Sequence, residues 1–227
     1  MSQPVNRLPY RSALIPAAGL GSRLGLGPKC LLRIGPNSLL EILISTLQPL
    51  VDEILIAVPQ DYQHEIEANI AGRAVLVTGG ATRQDSIDHL FDASSGDVVL
   101  IQDAARPFAS RALCSAVLEG ASQYGAAGAF LDPTVPVGRV KDGAVASYQS
   151  RHEAGVFQAP QAFTREVFMT ARQRTVGQQF QSTAQMVIDA GYALRAIPGE
   201  AENIKITTSL DWEIAKRVIS PALGLEK

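Results

Sequence analysis

The sequence predicts a single α/β domain with a mostly parallel sheet and one protruding β-arm, on three observations. Short apolar runs alternate with helix-length segments over most of the 227 residues. Loops carrying small, charged or hydroxyl residues follow those runs, at what would be the carboxyl ends of parallel strands. Near residue 134 the alternation stops and a polar hairpin replaces it. A chain of this length can bury its core as one unit, so residues 1–227 read as one domain and residues 134–155 as its arm.

In chain order, residues 12–15 form a buried strand that opens into a small-residue loop. Ser38 and Glu41 make a capping box for an apolar-faced helix that runs toward Leu47, with Pro49 just beyond. Residues 53–58 are a continuous apolar strand, 61–70 a polar-faced helix, 74–78 a strand and 85–91 a helix after Gly79-Gly80. A fourth strand covers 98–102 and stops at Asp103; Ser110 caps a helix reaching Tyr124, and 126–131 is a fifth buried run. Residues 137–146 form a hairpin with Asp142-Gly143 as its two-residue turn. Such a ribbon is marginal alone, which points to packing on a second subunit. A strand over 156–163 leads into a helix near Thr164, a further helix spans 182–190 before Gly191, and 192–197 is a strand. Residues 204–207 place Lys205 between two isoleucines, where an ammonium is costly unless it meets an anion, and Thr208 to Asp211 opens the last helix.

Composition narrows the class of partner. With 46% hydrophobic and 19% charged residues and a formal net charge of -2, a broad nucleic-acid or anionic-membrane surface is disfavoured, while small phosphorylated ligands stay compatible. Cys30 and Cys114 are the two cysteines and need not pair. Neither a signal peptide nor a membrane span is evident, so a cytoplasmic location is expected. His64, His89 and His152 show no metal-ligand spacing.

Three loops carry the chemistry. Pro16-Ala17-Ala18-Gly19-Leu20-Gly21 has so little side chain that its N–H groups can approach a polyphosphate, and Arg23 and Lys29 follow with charge. It is neither a Walker loop, because Lys29 follows Pro28, nor a dinucleotide fingerprint, because Leu24 stands where the third small residue belongs. In the second loop Gly80 allows close approach, Arg83 can orient the turn and Ser86 offers a hydroxyl. In the third, Asp103 ends a strand, with Ala104 and Arg106 beside it. One carboxylate there suits Mg²⁺ bound to a polyphosphate. An Asp103–Arg106 ion pair and a Glu202–Lys205 pair are the structural alternatives for these charges.

Together with Ala159-Pro160-Gln161 and Asn203-Ile204-Lys205-Ile206-Thr207, these ordered motifs resemble the 2-C-methyl-D-erythritol 4-phosphate cytidylyltransferase family, from about Ser12 to about Arg217. The resemblance implies a Rossmann-like nucleotidyltransferase domain acting in isoprenoid synthesis on CTP and a small polyol phosphate, with Mg²⁺ as cofactor. It implies that Pro16, Ala17, Ala18, Gly19, Leu20 and Gly21 hold the triphosphate, that Gly80, Arg83, Ser86 and Ala104 serve the nucleotide, and that Asp103 takes the metal. Arg23, Lys29 and Lys205 become catalytic cations. Arg106 serves the second substrate, as does Arg151 from the arm of a partner in a homodimer. Departures gather on the acceptor side, at Pro136, Val137, Ala159, Gln181 and Glu202. They imply weak handling of methylerythritol phosphate or preference for a related alcohol. Transfer to another polyol or sugar phosphate, or a catalytically silent nucleotide-binding regulator, are the alternative readings.

Overall fold

The computed structural model describes residues 8–19 and 27–225. Its strands and helices alternate as β1 (Arg11–Pro16), β2 (Arg33–Ile34), β3 (Asn37–Ser38), α1 (Leu39–Leu47), β4 (Glu53–Val58), α2 (Gln63–Ile70), β5 (Val75–Thr78), α3 (Arg83–Ala93), β6 (Val98–Ile101), α4 (Arg111–Tyr124) and β7 (Ala126–Leu131). The arm, β8 (Val137–Lys141) and β9 (Ala144–Gln149), follows. The chain then returns through β10 (Val156–Thr164), α5 (Arg165–Arg174), α6 (Thr183–Asp189), β11 (Arg195–Pro198), α7 (Ser209–Ile214), a π-helical turn (Ala215–Ile219) and α8 (Ser220–Ala222).

Seven strands form one sheet in the order β11-β7-β10-β6-β1-β4-β5. All neighbouring pairs are parallel except those of β10, which runs antiparallel between β6 and β7. Alternate residues of the apolar runs feed opposite faces. Ala13, Ile15, Ile54, Ile56, Val58 and Leu100 pack with Leu43 of α1, Ile66 of α2 and Val117 of α4 on one side. Leu14, Leu55, Ala57, Val99 and Ile101 pack with Ile87 of α3, Phe168 of α5 and Val187 of α6 on the other. Both faces are covered, which is why these strands read as uninterrupted apolar runs. Each fully buried Leu or Ile among them contributes roughly 1.5–3 kcal/mol. The chain winds outward from β1 through β4 to β5, then crosses back to β6 on the other side of β1. That reversal opens a crevice beyond the carboxyl ends of β1 and β6.

Local signals hold at the helix starts. Ser38 and Glu41 form the expected capping box, Ser110 caps α4, and Thr208 with Asp211 caps α7. Several boundaries differ from the sequence reading. Helix α3 starts at Arg83 and not at Asp85, because Thr82 and Asp85 make its capping box. The strand expected from 192 begins at Arg195. Residues 204–207, read from the sequence as a strand, carry no sheet pairing; Ile206 N–H instead donates to Ala105 O at 2.8 Å. In the arm, Asp142 (φ 52°) and Gly143 (φ 79°) both occupy the left-handed region that a tight hairpin turn needs. Every residue of β8 and β9 is exposed.

Candidate active site

The crevice holds a cleft of about 370 Å³ lined by Pro16, Ala17, Ala18 and Gly19, by Gly80 to Arg83 with Ser86, by Asp103 to Ala105, and by Lys29, Cys30 and Lys205. It thus gathers the three predicted loops and the two lysines. Leu20, Gly21 and Arg23 lie outside the described residues. The first two loops are pressed together at their bases, where Ala17 N–H donates to Ala57 O (2.8 Å) and Gly79 N–H to Val58 O (2.9 Å). A Cβ on Gly79 would stand 2.5 Å from Ala18 Cβ, and one on Gly80 would stand 2.2 Å from Asp85 Cβ, so neither position admits a side chain without a shift of backbone. Ser86 spends its hydroxyl inside its own loop, accepting from Gly80 N–H (3.0 Å) and donating to Thr82 O (3.0 Å). This fastens the glycine turn to the first turn of α3.

Asp103 is the electrostatic centre. Arg83 reaches from the start of α3 and brings Nε (3.1 Å) and Nη2 (2.7 Å) to Oδ1, while Lys205 Nζ meets Oδ2 at 2.9 Å. Burial by itself would raise this carboxyl, but Arg83 and then Lys205 outweigh it and hold the group at about 2. The partners of Asp103 and Lys205 are therefore neither Arg106 nor Glu202. Among the described residues lining the cleft, three cations face one carboxylate, a surplus suited to a polyphosphate. Among the described residues no group of three or more His, Cys, Asp or Glu could hold a metal. A cation at Asp103 would draw its other ligands from phosphate oxygens and water, as Mg²⁺ commonly does. The donor set fits such a metal. Cys30 also borders the cleft, but burial pushes its thiol up to about 11, so it is protonated at neutral pH and is no nucleophile.

A polar network that the sequence reading missed sets the position of Lys205. Gln158 on β10 donates to Glu200 O (2.9 Å) and accepts from Glu200 N–H (3.1 Å). Asn203 donates to Ala159 O (2.7 Å), and the Glu200 carboxylate takes both the N–H and the hydroxyl of Ser110 at the start of α4. Lys29 then donates to Ile206 O at 3.3 Å, joining segments 177 residues apart. The signal was present in the sequence: Gln158 lies on an apolar strand and is 5% exposed, and a buried amide requires partners. Arg106 belongs to the same network. Its Nη1 donates to Asn203 O (2.6 Å) and Nη2 to Phe157 O (3.4 Å), and it does not line the cleft. Arg151 is exposed in the turn after β9 and also stands apart from the cleft lining.

A small-residue loop at the switch point of a doubly wound sheet, cations on facing walls and a single strand-end carboxylate together define an α/β nucleotidyltransferase. Enzymes of this class generally use a divalent metal. Residues 12–220 match the family of 2-C-methyl-D-erythritol 4-phosphate cytidylyltransferase, and the chain belongs to that family. A relative of that name from Deinococcus radiodurans is 36% identical over 218 residues, covering 95% of this chain and 92% of its own length. One from Thermus thermophilus is 37% identical over 209 residues, covering 90% and 95%. The crystal structure of a Thermus thermophilus cytidylyltransferase of the same name has a TM-score of 0.76 at 33% identity, over 92% of this chain and 98% of that one. A 4-diphosphocytidyl-2C-methyl-D-erythritol synthase from Anaerococcus prevotii gives 0.80 at 26% identity, over 91% and 96%. Among the described residues no helix is long and apolar enough to cross a membrane.

Proposed function

We propose that this chain transfers the cytidylyl group of CTP to the phosphate of 2-C-methyl-D-erythritol 4-phosphate, releasing pyrophosphate and forming a cytidine-diphosphate polyol for isoprenoid synthesis. The observation that carries the reading is the convergence of Lys29 and Lys205 on one cleft opposite the phosphate loop, across a hydrogen bond from Lys29 to Ile206 O. The acceptor phosphate is already anionic near neutral pH, so its attack on the α-phosphorus needs no general base. Positioning and charge stabilisation do the work.

In this reading backbone N–H groups of residues 16–21 receive the triphosphate, and the turn held by Ser86, with Gly80, Arg83 and Ala104, receives the nucleotide. Lys29 and Lys205, with Arg23 carried over from the family resemblance, offset the charge that develops on the α-phosphate and the departing pyrophosphate. Asp103 would hold Mg²⁺, which when bound supplies further neutralisation of phosphate charge. Arg106 serves the second substrate, and its hydrogen bond to Asn203 O also steadies the segment that bears Lys205. The arm pairs two copies, bringing Arg151 to the acceptor site of the other. This is supported by the exposed Val137, Val140, Val145 and Tyr148 on a ribbon with no core of its own. Unpaired Cys30 and Cys114 agree with a cytoplasmic home. Pyrophosphate release measured with CTP, Mg²⁺ and methylerythritol phosphate tests the function. A folded protein that binds CTP but releases no pyrophosphate would leave the regulatory reading in its place.

A further inference from the structure

The two oxygens of Asp103 are held by cations of different character. At Oδ1, Arg83 places two nitrogens of a planar guanidinium, and the first turn of α3 that carries it is anchored by the Thr82–Asp85 capping box. At Oδ2 there is the Lys205 ammonium, on a four-carbon stem from a segment outside the sheet and with a side chain 43% exposed. The fork gives a fixed orientation, whereas the ammonium is a compact charge that re-aims at little cost. A carboxylate flanked by two cations also has little attraction left for a free dication.

We propose that Asp103 is a cation-exchange position: Arg83 is a positioning residue that keeps Oδ1 and aims the carboxylate, while Lys205 occupies Oδ2 only until a divalent cation arrives with the nucleoside triphosphate. Lys205 then yields that oxygen and turns its charge to the phosphates. Lys205 has an anionic partner in either state. Before nucleotide binds, Lys205 pairs with Asp103; once it is bound, the metal would pair with Asp103 and Lys205 with phosphate. Free metal binds weakly until nucleotide brings the second anion, so metal and nucleotide favour each other's entry. This inference rests on the assignment of the metal to Asp103.

Mn²⁺ serves as the probe, its binding to the full chain followed by electron paramagnetic resonance with and without CTP, and thermal melts verify folding of each variant. Without CTP, Lys205→Gln, or Lys205→Met as a second form, is expected to bind Mn²⁺ on the order of tenfold more tightly than the wild type, because the competitor at Oδ2 is gone. The gain should vanish in the Lys205→Gln, Asp103→Asn double variant. In the Lys205→Gln background, Arg83→Lys keeps the charge but loses the fork, and should return several-fold of the gain. Equal Mn²⁺ affinity in wild type and Lys205→Gln overturns the exchange, as does a gain that survives loss of Asp103. An unchanged affinity on adding Arg83→Lys overturns the positioning role. If the wild type binds no Mn²⁺ even with CTP, the metal assignment itself falls and the exchange with it.

Discussion

Replacing Asp103 with asparagine removes the charge on which Arg83 and Lys205 converge, and its cost can be worked from the carboxyl's titration. The group falls from its ordinary 3.8 to about 2, which at about 1.4 kcal/mol per tenfold amounts to roughly 2 kcal/mol of interaction with the ionised form. The folded value is depressed, so this stabilisation is complete above the unfolded value near 4 and is lost as pH falls from about 4 to about 2. In the variant Arg83 and Lys205, with side chains 34% and 43% exposed, recover part of their hydration. The net loss at pH 7 is therefore about 1–2 kcal/mol, a Tm lower by roughly 3–6 °C for a domain of this size. Circular-dichroism melts at pH 7 and an acid titration from pH 5 down measure both effects. Wild type should lose stability more steeply than Asp103→Asn across the window from about 4 to about 2. Metal-free CTP should narrow the difference at pH 7 by giving the two cations an anion. Equal Tm values together with superimposable acid titrations would refute the account of Asp103.

Lys29→Ala should lower kcat by a few hundredfold, equivalent to about 3 kcal/mol of transition-state stabilisation, while changing CTP affinity by only several-fold; steady-state kinetics beside CTP calorimetry separate the two, and full turnover would remove Lys29 from the chemistry. Exchanging the arm, residues 134–155, for a short Gly-Ser turn should turn a dimer into a monomer by light scattering, and an unchanged dimer would place the interface elsewhere. For the acceptor, Ala159 lies 5% exposed and gives its carbonyl to Asn203, and position 136 is a proline, so both lack side-chain hydroxyl contacts. Modest discrimination in kcat/KM among methylerythritol, erythritol, ribitol and glycerol phosphates is expected. A preference of several orders of magnitude for the first would show that other groups replace those contacts.

Much of the fold was legible because its signals are local. A buried parallel strand must be apolar on both faces, a helix start must satisfy its free N–H groups, and an Asp-Gly pair tolerates positive φ, so β1, β4, β6, the caps at Ser38, Ser110 and Thr208 and the arm's turn all stood in the sequence. The start of α3 was misplaced because Thr82 and Asp85, which cap it, lie inside the loop that was read through its glycines, Arg83 and Ser86. Of the site, its small-residue loops, Lys29, Asp103 and Lys205 were found by composition at strand ends and by the resemblance in motif order.

Taken by itself, the amino-acid sequence determined the fold class, the small-residue character of the first loop and the kinds of charge the cleft would hold, since these follow from residue type and short-range spacing. Which charges meet was decided only in the tertiary structure. Asp103 takes Arg83, 20 residues away, and Lys205, 102 residues away, in preference to the nearby Arg106, whose guanidinium is drawn instead to carbonyl oxygens of Asn203 and Phe157. The physical reason is the antiparallel return of β10 beside β6. Through Gln158 and Asn203 it fixes the segment bearing Lys205 against the mouth of β6, and no spacing along the chain encodes a contact made by strands that meet from opposite directions.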